Sequence, residues 1–112
     1  MYGTVARLQV KPGRAAELAA LTSTYEDIEV PGFIATYAYR SDRDPDEIWL
    51  AVLFEDRESY HRNAADPAQD ARYRQMRELL VADPEWHDGE VLGESQRGTT
   101  RSVGSGGAGG GY

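Results

Sequence analysis

"IWLAVLFE", residues 48–55, is the most apolar run in the chain, and the parity of its side chains decides the fold. Successive residues of a strand point to opposite faces, so Ile48, Leu50, Val52 and Phe54 fall on one side and Trp49, Ala51 and Leu53 on the other. Both sets are apolar. An antiparallel sheet with one solvated face would alternate apolar with polar residues, so this strand must be covered twice. Helices of the same chain can cover one face. A Trp and a Leu left in water on the other forfeit roughly 1.5 to 3 kcal/mol apiece, and a contiguous patch of such residues marks an interaction surface. Trp49, Ala51 and Leu53 are therefore expected at a homodimer interface; in the competing reading Trp49 is a single exposed aromatic on an edge, which needs no partner.

On the N-terminal side, "FIATYAYRS" (33–41) is a β-branched and aromatic strand joined to this one by the polar connection "DRDPDE" (42–47). Residues 2–10 place Val5, Leu8 and Val10 among small and polar residues and read as a first strand. "KPGR" (11–14) turns the chain. From Arg14 to about Asp27 the apolar Leu18, Leu21, Tyr25 and Ile28 recur at steps of three and four, the mark of an amphipathic helix. "EVPGF" (29–33) ends it.

On the C-terminal side, Asp56 is placed to cap a short helix through about Ala64, and Asp66-Pro67 starts another, with Gln69 at the third position of a capping box. Tyr73, Met76, Leu79 and Leu80 form one face of that second helix; Asp70, Arg74 and Glu78 stand on the other. Asp83-Pro84 stops it, because the residue before a proline is pushed out of the α region. "ADPEWHDGEV" (82–91) thus reads first as a boundary, leading to a short last strand around Glu90 to Gly93. The order is βαββαβ, which predicts an α+β ferredoxin-like fold, an antiparallel sheet with helices on one face.

At 112 residues the chain is expected to form one domain over residues 1–94, followed by a flexible tail, "SQRGTTRSVGSGGAGGGY" (95–112), rich in Gly and Ser. A net charge of -7, from 12 Lys and Arg against 19 Asp and Glu, has the wrong sign for nucleic acid or an anionic membrane. There is no cysteine, which excludes disulfides and thiolate metal sites. No run of about 18 apolar residues is present, and "MYGTVARLQV" lacks the charged start and apolar centre of a signal peptide, so the expected address is the cytoplasm. Asp42, Asp44 and Asp46 alternate like calcium ligands, but glycine is missing at the sixth loop position and Leu53 stands where the closing glutamate belongs. Two isolated histidines without cysteine do not make a zinc site, so no metal is expected.

Four stretches, "VKPGR" (10–14), "VPGF" (30–33), "FEDRESY" (54–60) and "NAADP" (63–67), give the chain a family likeness over about residues 2–93. It resembles the antibiotic biosynthesis monooxygenase family of dimeric α+β barrels, with features shared in part by stress-responsive barrel domains and muconolactone isomerases. The resemblance implies a homodimer with a pocket between helices and sheet that takes a small hydrophobic or aromatic ligand. Members that degrade heme use an asparagine on the first strand, a tryptophan after the third and a histidine in the helical segment; the matching positions here are Ala6, Phe54 and Ala68. Alanine offers iron no lone pair, so heme degradation is not expected. What the resemblance leaves is oxygenation of polycyclic phenols with no metal, flavin or other cofactor, a non-catalytic dimer that binds a ligand or assists an enzyme, or isomerase or cyclase chemistry in the same pocket. Oxygenation without a cofactor needs a substrate that donates an electron as its anion, so the protein must bind it, favour its deprotonation and exclude water.

Tyr60 and Asn63, at i and i+3 on the short helix, could face such a pocket together, with Phe54 and Leu50 as its wall; alternatively Tyr60 is a core aromatic whose hydroxyl reaches solvent. His61 lies one position off that face and reads as a solvated residue. Tyr73 and Arg77, four apart on the long helix, could present a phenol and a cation to an anionic substrate, or lie at the helix edge with the arginine stem covering apolar area. His87 is the better histidine for acid–base work, with Asp88 or Glu85 to orient it, although neighbours in a strand point oppositely. Trp86 reads as a substrate contact or as the packing anchor of the last strand.

Overall fold

A computed structural model describes residues 1–23 and 28–97. Its elements are β1 (Tyr2–Gln9), α1 (Ala15–Ser23), β2 (Phe33–Arg40), β3 (Glu47–Phe54), α2 (Arg57–Ala64), α3 (Pro67–Arg77) and β4 (Glu85–Glu90). The four strands pair antiparallel in the order β2-β3-β1-β4. This is the α+β ferredoxin-like arrangement that the order of elements predicts.

β3 divides as its parity requires. Ile48 and Leu50 are 5% exposed and Phe54 1%, and the first two join Ala6, Leu8 and Val10, Ala15 and Leu18 of α1, and Leu79 and Leu80 in one core. Directly paired residues of antiparallel strands share a face. Trp49, Ala51 and Leu53 therefore stand on the other side with their partners Arg7, Val5 and Gly3 on β1 and Tyr39, Tyr37 and Ala35 on β2. That side is half-covered at best: Val5 is 47% exposed, Tyr37 54% and Tyr39 58%. On the same face the Arg7 guanidinium bridges Glu47 of β3 at 2.6 Å and Glu85 of β4 at 3.3 Å.

The turns hold themselves by local side-chain bonds. In the β2–β3 connection the Asp44 carboxylate accepts from the Asp46 amide at 2.9 Å and from the Gln9 side chain at 3.2 Å, so this acidic loop is a turn tied to β1. Asp56 caps α2 by accepting from the Ser59 amide at 2.8 Å, and the Ser59 hydroxyl returns to the Asp56 backbone to complete a capping box. The Ser59 amide, with the Ser59 hydroxyl adding to it, holds the Asp56 carboxyl below the ordinary aspartate value. A carboxyl lowered in the folded state stabilises above its unfolded value, about 3.9, and the contribution is lost as pH falls through the lower folded value. The difference in urea midpoint between wild type and Asp56→Ala is thus expected to be full at pH 6 and to close between about pH 4 and pH 2; a constant difference would contradict the cap.

The structure corrects several sequence expectations. α3 ends at Arg77, not at the Asp83-Pro84 step. Leu79 and Leu80, 5% and 1% exposed, leave the helix to enter the core, where Leu80 bridges Val10 and the Leu79 carbonyl accepts from the Lys11 amide. Burying two leucines outweighs a further turn of helix. Gln69 makes no capping box: Asp66 accepts from the Ala68 amide, while the Gln69 side chain accepts from Arg72 at 3.0 Å. The last strand is Glu85–Glu90, so most of "ADPEWHDGEV" is strand and not the boundary it resembles, held in register against β1 from Tyr2↔Glu90 to Arg7↔Glu85. α1 is described only to Ser23; Tyr25 and the Gly/Ser-rich tail from residue 98 lie outside the described residues. Among those described, no helix is long and apolar enough to cross a membrane.

Candidate functional site

A cavity of about 460 Å³ lies between the core-facing side of the sheet and the three helices. Its floor is built in rows, because paired residues line up across the strands. One row runs Thr36, Val52, Thr4, Asp88 from β2 to β4; the next runs Ala38, Leu50, Ala6, Trp86, of which Leu50 and Trp86 line the cavity. The first row is polar at Thr36, Thr4 and Asp88, and the second is apolar throughout. Leu18 and Leu21 of α1, Tyr60 and Asn63 of α2, and Tyr73 and Met76 of α3 complete the walls.

An aromatic cluster closes the end of the cavity near Phe54. The Tyr60 ring stands edge-on to Phe54 at 5.6 Å and tilted against Tyr2 at 5.3 Å, and Phe33 meets Phe54 edge-on at 5.7 Å. These are the offset geometries aromatic rings prefer. At the opposite wall Tyr73 and Trp86 face each other at 6.4 Å.

The Tyr60 hydroxyl donates to Asp88 Oδ1 at 2.8 Å. Burial first, then the hydrogen bond to the Asp88 carboxylate and its charge, pushes the Tyr60 phenol well above its ordinary value. Tyr60 therefore remains a protonated donor at neutral pH and does not act as a base. Thr4 is 5% exposed, and its hydroxyl oxygen, buried in the floor, has no hydrogen-bond partner. It lies beside the Tyr60 oxygen, where it partly offsets the rise of the phenol, while the Tyr60 proton goes to Asp88.

Of the sequence candidates, Tyr60, Tyr73, Asn63, Phe54, Leu50 and Trp86 come together in this cavity. Two do not. His87 pairs with Val5, on the open face of the sheet, and its Nε2 is 3.9 Å from Glu85 on that same side. With the strand at 85–90, parity sends Trp86 and Asp88 to the cavity and His87 away from it, which corrects the assignment of His87 as its acid–base residue. Arg77 donates to Asp83 at 2.8 Å and to the Leu80 carbonyl at 3.2 Å, so it locks the turn after α3 and is not a ligand contact. In their place the cavity is lined by Thr4, Thr36 and Arg72, which the sequence reading passed over, by Asp88, which it takes only as a partner of His87, and by His61, which it takes as solvated and which is exposed with its ring 5.6 Å from Tyr2.

The three positions tied to heme chemistry do not fit that group. Ala6 is fully buried under the floor, Phe54 belongs to the aromatic cluster, and Ala68 lies exposed at the start of α3; none can bind iron. Among the described residues no three His, Cys, Asp or Glu side chains converge to hold a metal ion.

The profile of a family described as "Antibiotic biosynthesis monooxygenase" matches residues 1–74. Among solved structures, the chain is similar to SnoaB, a cofactor-independent oxygenase from Streptomyces nogalater, at 18% identity over 83% of this chain and 94% of that one, with a TM-score of 0.70. A provisionally assigned antibiotic biosynthesis monooxygenase from Chloroflexus aurantiacus J-10-fl is 24% identical over 85% and 96%, with a TM-score of 0.69. Rv0793 from Mycobacterium tuberculosis is 20% identical over 85% and 98%, with a TM-score of 0.68. No curated protein sequence matches the chain.

Proposed function

Because the chain belongs to the antibiotic biosynthesis monooxygenase family, we propose that it binds a flat, hydrophobic aromatic molecule between sheet and helices and oxygenates it with dioxygen, without metal or flavin. The observation that carries this reading is the cavity itself: an apolar slot walled by Leu50, Phe54 and Trp86, with a few hydrogen-bonding side chains turned into it. In such chemistry the ligand supplies the electrons. The protein's part is to seat the ring, place hydrogen bonds on its oxygens and keep water away. Tyr73 and Asn63 are the hydrogen-bonding groups on the helical side, Tyr60 holds the Asp88 carboxylate in place, and Leu50, Phe54 and Trp86 hold the ring.

Oxygen uptake and product analysis on a panel of polyphenols and quinols test it. Tyr60→Phe is expected to lower turnover about tenfold, the loss of roughly one hydrogen bond. His87→Ala, on the other side of the sheet, is expected to stay within about twofold of wild type, since it forfeits no such bond. Ligand binding with no oxygen uptake across the panel would leave a non-catalytic binder.

The open face of the sheet belongs to the same proposal. Trp49, Ala51, Leu53, Val5, Tyr37 and Tyr39 form an apolar and aromatic surface that none of the described helices covers, and a second copy packed sheet to sheet would cover it. A single sedimenting copy at micromolar concentration would refute the pairing.

A further inference from the structure

We infer that His61 is the proton acceptor of the cavity: its imidazole takes the proton of a ligand hydroxyl, leaves the ligand as a phenolate beside the imidazolium, and returns the proton to solvent. This rests on the cavity being the ligand site and names the group that makes the ligand an anion. The O–H bond breaks, an N–H bond forms on the imidazole, and the electron pair stays on the ligand oxygen. Nothing is oxidised or reduced in this step.

Position singles the residue out. The chain has two histidines. His87 faces the open side of the sheet, whereas His61 lines the cavity beside Tyr60 and Asn63. Its ring is seated against two others, 5.6 Å from Tyr2 and tilted at 51°, and 5.3 Å from Tyr60 and edge-on at 72°. The helix that carries it is fixed at its start by the Asp56 capping box. His61 is exposed as well as lining the cavity, and a proton carrier needs both. A base sealed in the slot would keep its proton after one turnover, and one wholly in solvent would never reach the ligand.

The charged and titratable groups around it do not serve in its place. Tyr60 keeps its own proton and directs it to Asp88 at 2.8 Å. Tyr73 is a phenol, an acid of the same kind as the ligand it would have to deprotonate. Arg72 in the cavity wall, and Arg57, one turn before His61 and 5.7 Å over the Tyr2 ring, carry guanidinium groups that offer no lone pair. Asp70 and Asp88 in the wall and Glu58 on the same helix are carboxylates, and a carboxylate is a far weaker base than imidazole. Imidazole is the side chain that both gains and releases a proton within the physiological range.

Alizarin, a flat hydroxyanthraquinone whose neutral and anionic forms differ in colour, reads the position of the proton directly. Bound to the full chain, it is expected to change colour about one pH unit lower than free in solution, the effect of a cation beside it. His61→Gln, which keeps a hydrogen-bonding group but takes no proton, is expected to abolish that displacement, while its affinity for 2-naphthol, measured by calorimetry, stays within about threefold of wild type. On phenols that wild type oxygenates, His61→Gln is expected to lower kcat about a hundredfold with KM little changed, and added imidazole to restore part of the rate of His61→Ala. A displacement absent from wild type, or surviving in His61→Gln, would overturn the role of His61 and leave the cavity standing. Failure of both alizarin and 2-naphthol to bind would overturn the cavity and His61 together. A displacement that depends on His61 with no oxygen uptake on any phenol would support His61 as the base and overturn the oxygenase reading alone.

Discussion

Gly3→Ala is expected to cost more than about 3 kcal/mol in urea unfolding, at the severe end for a single methyl group. Gly3 is buried in the central strand, paired with Leu53 on one side and Gly89 on the other. A Cβ added there would overlap the Val52 carbonyl oxygen and stand 3.2 Å from the Leu53 Cα. Both neighbours are backbone, so no side chain can swing aside and β1 must move off β3. That strand carries Ala6 and Leu8 of the core and Thr4 of the cavity floor, and displacing it loosens core and site together. A loss below about 1 kcal/mol, the ordinary effect of a mutation, would show that β1 and β3 do not approach as described.

Leu53→Asp is expected to weaken pairing of two copies by at least about a hundredfold while leaving the single chain folded, as for the loss of a buried interface anchor. Leu53 lies on the open face, half-buried among Gly3, Ala35 and their neighbours, and takes no part in the core beneath the helices. A carboxylate there would be solvated in the single chain and stranded without a partner in a sheet-to-sheet contact, where breaking even with water requires a paired charge. It would also add to a chain that already carries -7. Sedimentation and circular dichroism together separate the outcomes. Unchanged association would move the contact elsewhere, and loss of the fold would mean that Leu53 supports the single chain.

How far the sequence could be read is shown by its two tryptophans. The parity of "IWLAVLFE" placed Trp49 on the uncovered face and Leu50 and Phe54 on the covered one, because a strand apolar on both sides leaves little freedom of register. The sequence reading takes Trp86 to the cavity as a contact, but takes its neighbour His87 there with it. That error follows from placing the last strand at residues 90–93. β4 consists of Glu, Trp, His, Asp, Gly and Glu, a composition poor in strand formers, and nothing local marks it as a strand. It is a strand because β1 offers it an edge, a long-range fact that no window of sequence contains. Once the strand is set at 85–90, the same parity argument separates Asp88 from His87. Arg77 went astray for a related reason. The face of Tyr73, Met76, Leu79 and Leu80 has helical spacing, but the two leucines reach the core by leaving the helix, and Arg77 serves the turn that results. Thr4 carried no signal at all, since an alternating threonine in a strand is ordinary until its burial and its missing partner are seen.

In the proposed function one side of the sheet takes the ligand and the other a second copy, and the two indoles, Trp86 and Trp49, stand one on each side. Their N–H resonances in a heteronuclear NMR spectrum of the isotope-labelled protein, followed during addition of 2-naphthol, report both sides at once. The Trp86 resonance is expected to shift and saturate while that of Trp49 stays in place. A saturating shift at Trp49 with Trp86 unmoved would put the ligand on the wrong side of the sheet and contradict the account.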